Sequence, residues 1–297
     1  MNTKVFGKNE VIFREGEFGN TFYEIKEGTA GIYLHYGQAD QRKLADMKPG
    51  QYFGEMAIIE VWPRSATVVA EEELQAIELT AEDLSFFFTE EPDRVMALMT
   101  QLAERLRQLT KDYDEVTAFI REKQDADARQ KDSFLARMKK YKAVRDYAAK
   151  LSAITVEDKA REKYGEDAAK AVLPVKYYNA GEIIFREGDE SVFMYQIHSG
   201  SVAVFVNYGT PEETKLTTLY TNAFFGEMGL VSNDKRSATA VVAENETVLE
   251  AIRAEDLKAL FNANPMKIEM ILGHLANRLR RLTADYYGLC WTAAKEN

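Results

Sequence analysis

The chain has little of what builds covalent or metal-held folds. Cys290 is the single cysteine in 297 residues. No intrachain disulfide can form, and a reducing cytoplasm is the expected location. The three histidines, His35, His198 and His274, are too widely spaced to suggest a metal site. No apolar run reaches the ~18 residues of a membrane-spanning helix, and the opening residues MNTKVFGKNEVIF lack the apolar core of a signal peptide. Positive charge is in deficit, with 38 Lys and Arg against 48 Asp and Glu, a net charge of −10. That balance argues against non-specific binding to DNA or to an acidic membrane. It opposes an anionic ligand only weakly, because salt screens repulsion beyond roughly 8 Å. Arginines inside a pocket would decide affinity. Hydrophobic residues at 46% and aromatics at 11% place the chain among folded globular proteins.

What is present is a long internal duplication. Phe53 to Val68, FGEMAIIEVWPRSATV, returns as Phe225 to Ala240, FGEMGLVSNDKRSATA, at a step of 172 positions. Val11-Ile-Phe-Arg-Glu-Gly16 returns as Ile183-Ile-Phe-Arg-Glu-Gly188, Gly28 as Gly200, and Tyr36-Gly37 as Tyr208-Gly209. Further on the step is 173: Ala81-Glu-Asp-Leu84 matches Ala254-Glu-Asp-Leu257, and Leu102-Ala-Glu-Arg-Leu-Arg107 matches Leu275-Ala-Asn-Arg-Leu-Arg280. A period this long means duplicated domains rather than a solenoid.

Each copy reads as strands first and helices last. Short alternating runs such as Phe22-Tyr-Glu-Ile25 and Ile32-Tyr-Leu-His-Tyr36, separated by glycines, predict antiparallel strands. Thr80-Ala-Glu-Asp83 has the form of a capping box that opens a helix. Pro92 and Pro265 mark the starts of longer helices, with Asn264 as a cap before the second. Those helices carry apolar residues at alternating spacings of four and three: Val95, Met99, Leu102, Leu106, Leu109, Tyr113, Val116 and Ile120, then Ile268, Leu272, Leu275, Leu279, Leu282, Tyr286 and Leu289. Either each helix packs on its own strands, or the two seams pair within one chain or between chains. The sustained spacing favours pairing. The boundaries expected are a first domain over 1–116, a helical connecting segment over 117–176 and a second domain over 177–297. The connector has Gly165 as its one glycine and no proline before Pro174, with helix breaks expected near Ser152–Thr155 and Gly165.

The duplicated cassette has the chemistry to hold a cyclic nucleotide. Arg64 and Arg236 supply a guanidinium for a phosphate, and Ser65 and Ser237 can add hydroxyl donors. The residues after each Gly-Glu form a turn of helix whose N–H groups suit an anion. Glu55 and Glu227 can accept from a ribose 2′-OH, and Gly54 and Gly226 allow close backbone approach. Candidate ligand-binding residues are therefore Phe53, Gly54, Glu55, Met56, Ala57, Arg64 and Ser65, with Phe225, Gly226, Glu227, Met228, Gly229, Arg236 and Ser237. The Gly-Glu and Arg-Ser-Ala-Thr spacing closely resembles the phosphate-binding cassette of the cyclic-nucleotide-binding domain family. The resemblance implies an α+β fold of two β-rolls, jelly-roll-like, each followed by a long helix. It also points to base contacts from Arg105, Thr110 and Tyr113, and from Arg278, Thr283 and Tyr286. The serine after each cassette arginine favours cAMP, with cGMP or another cyclic nucleotide as alternatives.

The expected function is a non-enzymatic receptor that binds cyclic nucleotide and signals to a separate protein effector. The alternatives are a sink or buffer, and an inhibitor of a partner enzyme like the regulatory subunit of cAMP-dependent protein kinase. About ten residues follow the last seam, too few for the DNA-reading domain of the catabolite-activator branch, so no DNA partner is expected. No membrane contact, cofactor, metal or catalytic residue is expected either. Arg280-Arg-Leu-Thr283 resembles a kinase site, but its place on the seam reads as helix packing. The chain is expected to be a monomeric pseudo-dimer or a homodimer.

Overall fold

Strand residues with buried side chains on both sides of the backbone build the centre of each repeat. In the first repeat these are β3 (Thr21–Glu27), β4 (Ala30–Leu34) and β7 (Thr67–Ala70), the last buried at every position. The computed structural model describes residues 2–60, 62–126, 171–227 and 235–295. Most of the expected connector lies outside them, including both expected helix breaks, as do the cassette residues Met228 and Gly229.

The first repeat adds β1 (Asn2–Phe6), β2 (Val11–Phe13), β5 (Arg42–Met47), β6 (Tyr52–Phe53) and β8 (Leu74–Thr80). They form two four-stranded antiparallel sheets, in the orders β1-β8-β3-β6 and β2-β7-β4-β5. The core lies between the sheets: Ile25, Phe53, Leu74 and Ala76 from one meet Ile32, Leu34, Val68 and Ala70 from the other. The second repeat copies this plan with β9 (Val175–Tyr178), β10 (Ile183–Phe185), β11 (Met194–Ser199), β12 (Ser201–Val206), β13 (Thr214–Tyr220), β14 (Phe224–Phe225), β15 (Thr239–Val242) and β16 (Thr247–Ile252). Its sheets run β9-β16-β11-β14 and β10-β15-β12-β13. Even the irregularities recur. Register shifts between Ile25 and Glu27 and between Ile32 and Tyr33 return between Ile197 and Ser199 and between Val204 and Phe205. Bulges at matching positions make the two rolls bend alike.

Helices follow the strands. α1 (Glu55–Glu60) is the short cassette helix, α2 (Ala81–Glu90) follows β8, and α3 runs Pro92–Ala126. The expected capping box is present: the Asp83 N–H donates to Thr80 Oγ1 at 3.3 Å, and the Thr80 N–H donates to Asp83 Oδ2 at 2.8 Å. In the second repeat Arg253 stands where Thr80 stood. Its N–H still donates to Asp256 Oδ2 at 2.9 Å, but the hydroxyl is gone and the first turn, Ala254–Asp256, is 3-10. α4 (Leu257–Ala263) and α5 (Pro265–Lys295) follow. Both long helices begin at the expected prolines, and Asn264 Oδ1 accepts the Lys267 N–H at 3.2 Å. α3 continues ten residues past 116, where the connector was expected to begin. The buried face is also wider than the expected seam, since Leu98 and Ile271, off the four-three spacing, are fully buried with it. No helix among the described residues is long and apolar enough to cross a membrane.

The chain divides into two compact units, and the division cuts α5 after His274. One unit holds the second repeat and α5 up to that residue. The other holds the first repeat, α3 and α5 from Leu275 onward. Within this unit Tyr287 of α5 packs against the core of the first repeat. Its hydroxyl lies 2.7 Å from His35 Nδ1 and donates to Asp40 Oδ2.

The repeats fasten their long helices differently. In the first, Glu24 on β3 lies opposite Ile77 on β8, and its carboxylate meets Lys26 of its own strand and, at 3.6 Å, Arg94 of α3. In the second, the position of Glu24 is Gln196 and the position opposite is Glu250. The carboxylate has crossed to the paired strand. There it accepts from Lys267 of α5, from the N–H groups of Val172 and Leu173, and pairs with His198 Nε2 at 2.6 Å.

Candidate functional site

β6 delivers Phe53 to a sharp turn at Gly54, and β14 delivers Phe225 to Gly226. Both glycines have positive φ, 82° and 70°. A Cβ on Gly54 would lie 2.8 Å from Arg64 Nη1, and one on Gly226 2.6 Å from Arg236 Nη1. Glycine is needed for the backbone conformation and to leave room for the arginine. The immediate neighbour of each glycine is the guanidinium.

Arg64 and Arg236 are 5% and 6% exposed. Arg64 donates through Nη1 to the Gly54 carbonyl at 2.8 Å and through Nη2 to that of Thr21 at 2.6 Å. Arg236 repeats this with Gly226 at 3.0 Å and Phe193 at 2.7 Å. Each guanidinium stacks 4.0 Å from a phenylalanine centroid, Phe13 in the first repeat and Phe185 in the second. Burial lowers the pKa of both arginines, yet a guanidinium stays charged at any physiological pH. Among the described residues neither has a carboxylate at ion-pair distance. Two cations are thus held out of water against carbonyls and ring faces, a costly arrangement that an anionic group relieves.

Beside each arginine sits a buried carboxylate, Glu55 and Glu227, each 1% exposed. Glu55 opens α1, the helical turn expected there, and accepts from Arg105 Nη1 of α3 at 2.6 Å. A cavity in the first repeat is lined by all seven expected cassette residues, Phe53, Gly54, Glu55, Met56, Ala57, Arg64 and Ser65, and by Arg105. Phe13, Ile32, Ala66 and Val68 complete its wall. The sequence reading did not place these four in the site. Phe13 was within reach, because its motif recurs around Phe185.

The other expected base-contact residues are placed differently. Thr110 and Thr283 donate to carbonyls of their own helices, Leu106 and Leu279, each at 2.8 Å. Tyr113 is half-buried on α3 and Arg278 exposed on α5. Tyr286 is pushed up to about 12, by burial first and then by Cys290 and Asp112. Among the described residues Arg105 is the expected base contact that lines the first cavity. Ser65 is half-buried, with Oγ 3.9 Å from Met56 Sδ, and Ser237 is exposed.

The chain is similar to known proteins over one or both repeats. The chain is 27% identical over 286 residues to the cAMP-dependent protein kinase regulatory subunit of Blastocladiella emersonii, covering 96% of this chain and 56% of that protein. It is 35% identical over 114 residues to the Cyclic AMP receptor protein of Thermus thermophilus, covering 38% of this chain and 52% of that one. A crystal structure of the Thermus thermophilus Catabolite Activator Protein matches 42% of this chain and 60% of its own at 30% identity, with a TM-score of 0.37. The chain spans about half the length of the curated relatives it matches. The sequence model of the cyclic nucleotide-binding domain matches residues 3–91 and again 175–264, so the chain belongs to that family and carries its domain twice.

Proposed function

We propose that the protein is a non-enzymatic receptor that binds one cyclic nucleotide in each repeat and passes the event to a separate protein. The observation that carries this reading is the buried arginine, present twice, with no carboxylate partner among the described residues and a buried glutamate beside it. A cyclic phosphate and its ribose 2′-OH match that pair of groups. Arg64 and Arg236 take the phosphate; Glu55 and Glu227 take the hydroxyl. cAMP is the favoured ligand, supported by the names of the relatives, with cGMP or another cyclic nucleotide as the alternatives.

A relay supports receptor over sink. Within one unit Arg280 of α5 donates to Glu60, the last residue of α1, and to the carbonyl of Pro63, directly before Arg64. Any shift of the first cassette on binding phosphate is felt by α5. A partner protein that reads α5 would complete the signal. Calorimetric titration of the full chain with cAMP and with cGMP tests the binding: two sites per chain are expected, with cAMP the tighter. One site or none would overturn it.

A further inference from the structure

The long helices of the two repeats carry different residues where they meet the strand that leads into the cassette. In the first repeat Gln101 of α3 pins β6 by its side-chain amide. Its Oε1 accepts the Tyr52 N–H at 2.7 Å, and its Nε2 donates to the Tyr52 carbonyl at 2.6 Å. At the repeat step of 173 the second copy has His274 on α5. An imidazole cannot serve both groups of one residue in that way. Instead it lies 5.7 Å from the ring of Phe224, the counterpart of Tyr52. Its Nε2 is buried, has no hydrogen-bond partner among the described residues, and stands 3.9 Å from Glu227 Oε2.

We infer that His274 is a positioning residue that makes the second site, and not the first, respond to pH. The inference rests on the binding proposed above. Histidine is the side chain whose ordinary titration falls between about pH 5 and 8, whereas Gln101 does not titrate. Glu227 is the charged group that faces His274 from the cassette; Phe224 faces it from β14 and carries no charge; Arg278 follows one turn along its own helix. Protonation puts a cation beside the ribose-binding carboxylate, and a movement of about 1 Å closes the gap to hydrogen-bond range. The cation adds one positive charge to a pocket that takes an anion. That charge favours the liganded state, so affinity rises as pH falls. By linkage, filling the second site takes up protons.

The test is calorimetry of the full chain with cAMP at about pH 6 and about pH 8. The sites are told apart with Arg64→Ala, which leaves the second intact, and Arg236→Ala, which leaves the first. The second site should tighten by roughly three- to tenfold at the lower pH, while the first changes by less than about twofold. His274→Gln, which installs the first repeat's own residue, should bind but lose the slope. In the unmutated protein, filling the second site should take up protons, read from the buffer dependence of the binding heat, and His274→Gln should abolish that uptake. A second site with equal affinity at both pH values, or a slope that survives His274→Gln, overturns the inference while leaving the binding itself in place. Absence of cAMP binding at either pH would overturn both.

Discussion

Arg280 Nε lies 2.7 Å from Glu60 Oε2, joining the far part of α5 to the end of the first cassette helix. Asn277 adds a second donor to Glu60 at 3.2 Å. Glu60 is 2% exposed in its side chain and Arg280 21%. Burial pushes Glu60 above the ordinary carboxylate range, and Arg280 opposes that push.

Removing Arg280 therefore has a pH signature. A carboxylate whose folded pKa is raised contributes stability that is complete below its unfolded pKa and lost as pH rises through the folded one. Without Arg280 that rise is larger. Arg280→Ala should cost about 2–3 kcal/mol at neutral pH, below the 3–5 of a fully buried pair because the arginine is partly exposed. The deficit should shrink toward about pH 3, where Glu60 is protonated in both states. Urea unfolding at the two pH values measures it; an equal deficit at both would show that the ion pair is not the cause.

The cassette arginines should act locally. A charge-assisted contact is worth roughly 1.5–3 kcal/mol, and more when the anion is left buried without it. Arg64→Ala and Arg236→Ala should each weaken their own site by about tenfold to several hundredfold. Lysine should not restore either site, since the planar group also stacks on Phe13 or Phe185. Calorimetry on the single variants separates the two.

Ribose recognition has its own probe. If Glu55 and Glu227 accept the 2′-OH, the 2′-deoxy cyclic nucleotide should bind more weakly by about 1–3 kcal/mol at each site. Equal affinity for the deoxy compound would remove both glutamates from the sugar.

Glu250 should govern acid stability of the second repeat. Burial alone would raise its pKa, but His198, Lys267 and the Leu173 N–H outweigh burial and leave it at about 2. A lowered carboxylate stabilises the fold above its unfolded value, near 4.5, and that contribution fades as pH falls toward 2. Glu250→Gln removes a carboxylate that accepts from the fully buried Lys267. A loss of about 3–5 kcal/mol is expected at neutral pH, shrinking in acid; thermal unfolding across that range checks it.

Much of this was legible in the residues, because a duplication reports the same constraint twice. The cassette, the β-rolls, the Thr80 capping box and the helix starts at Pro92 and Pro265 are local patterns, and local chemistry decides them. The glycine at position 50 and the asparagine at 222 share a left-handed backbone, φ 84° and 71°. Partners distant in sequence were not legible. Arg105, read as a base contact, lines the cavity and bonds Glu55, a pairing that the spacing does not show. Thr110 and Thr283 were given the same role, yet a threonine inside a helix can bond the carbonyl one turn back, as both do. Arg280 was read as helix packing, and its bond to Glu60, 220 positions away, leaves no trace in spacing.

The carboxylate that crossed from β3 to the strand opposite gives the two repeats unequal sensitivity to dissolved salt. In the first, Glu24 is met by Lys26 and Arg94, whose side chains are 42% and 28% exposed. Mobile ions reach those charges and weaken their attraction. In the second, both Glu250 and Lys267 are fully excluded from solvent, beyond the reach of an ion atmosphere. Raising ionic strength should loosen the hold on α3 and leave the start of α5 as it was. Ionic conditions would then select which long helix is more readily displaced.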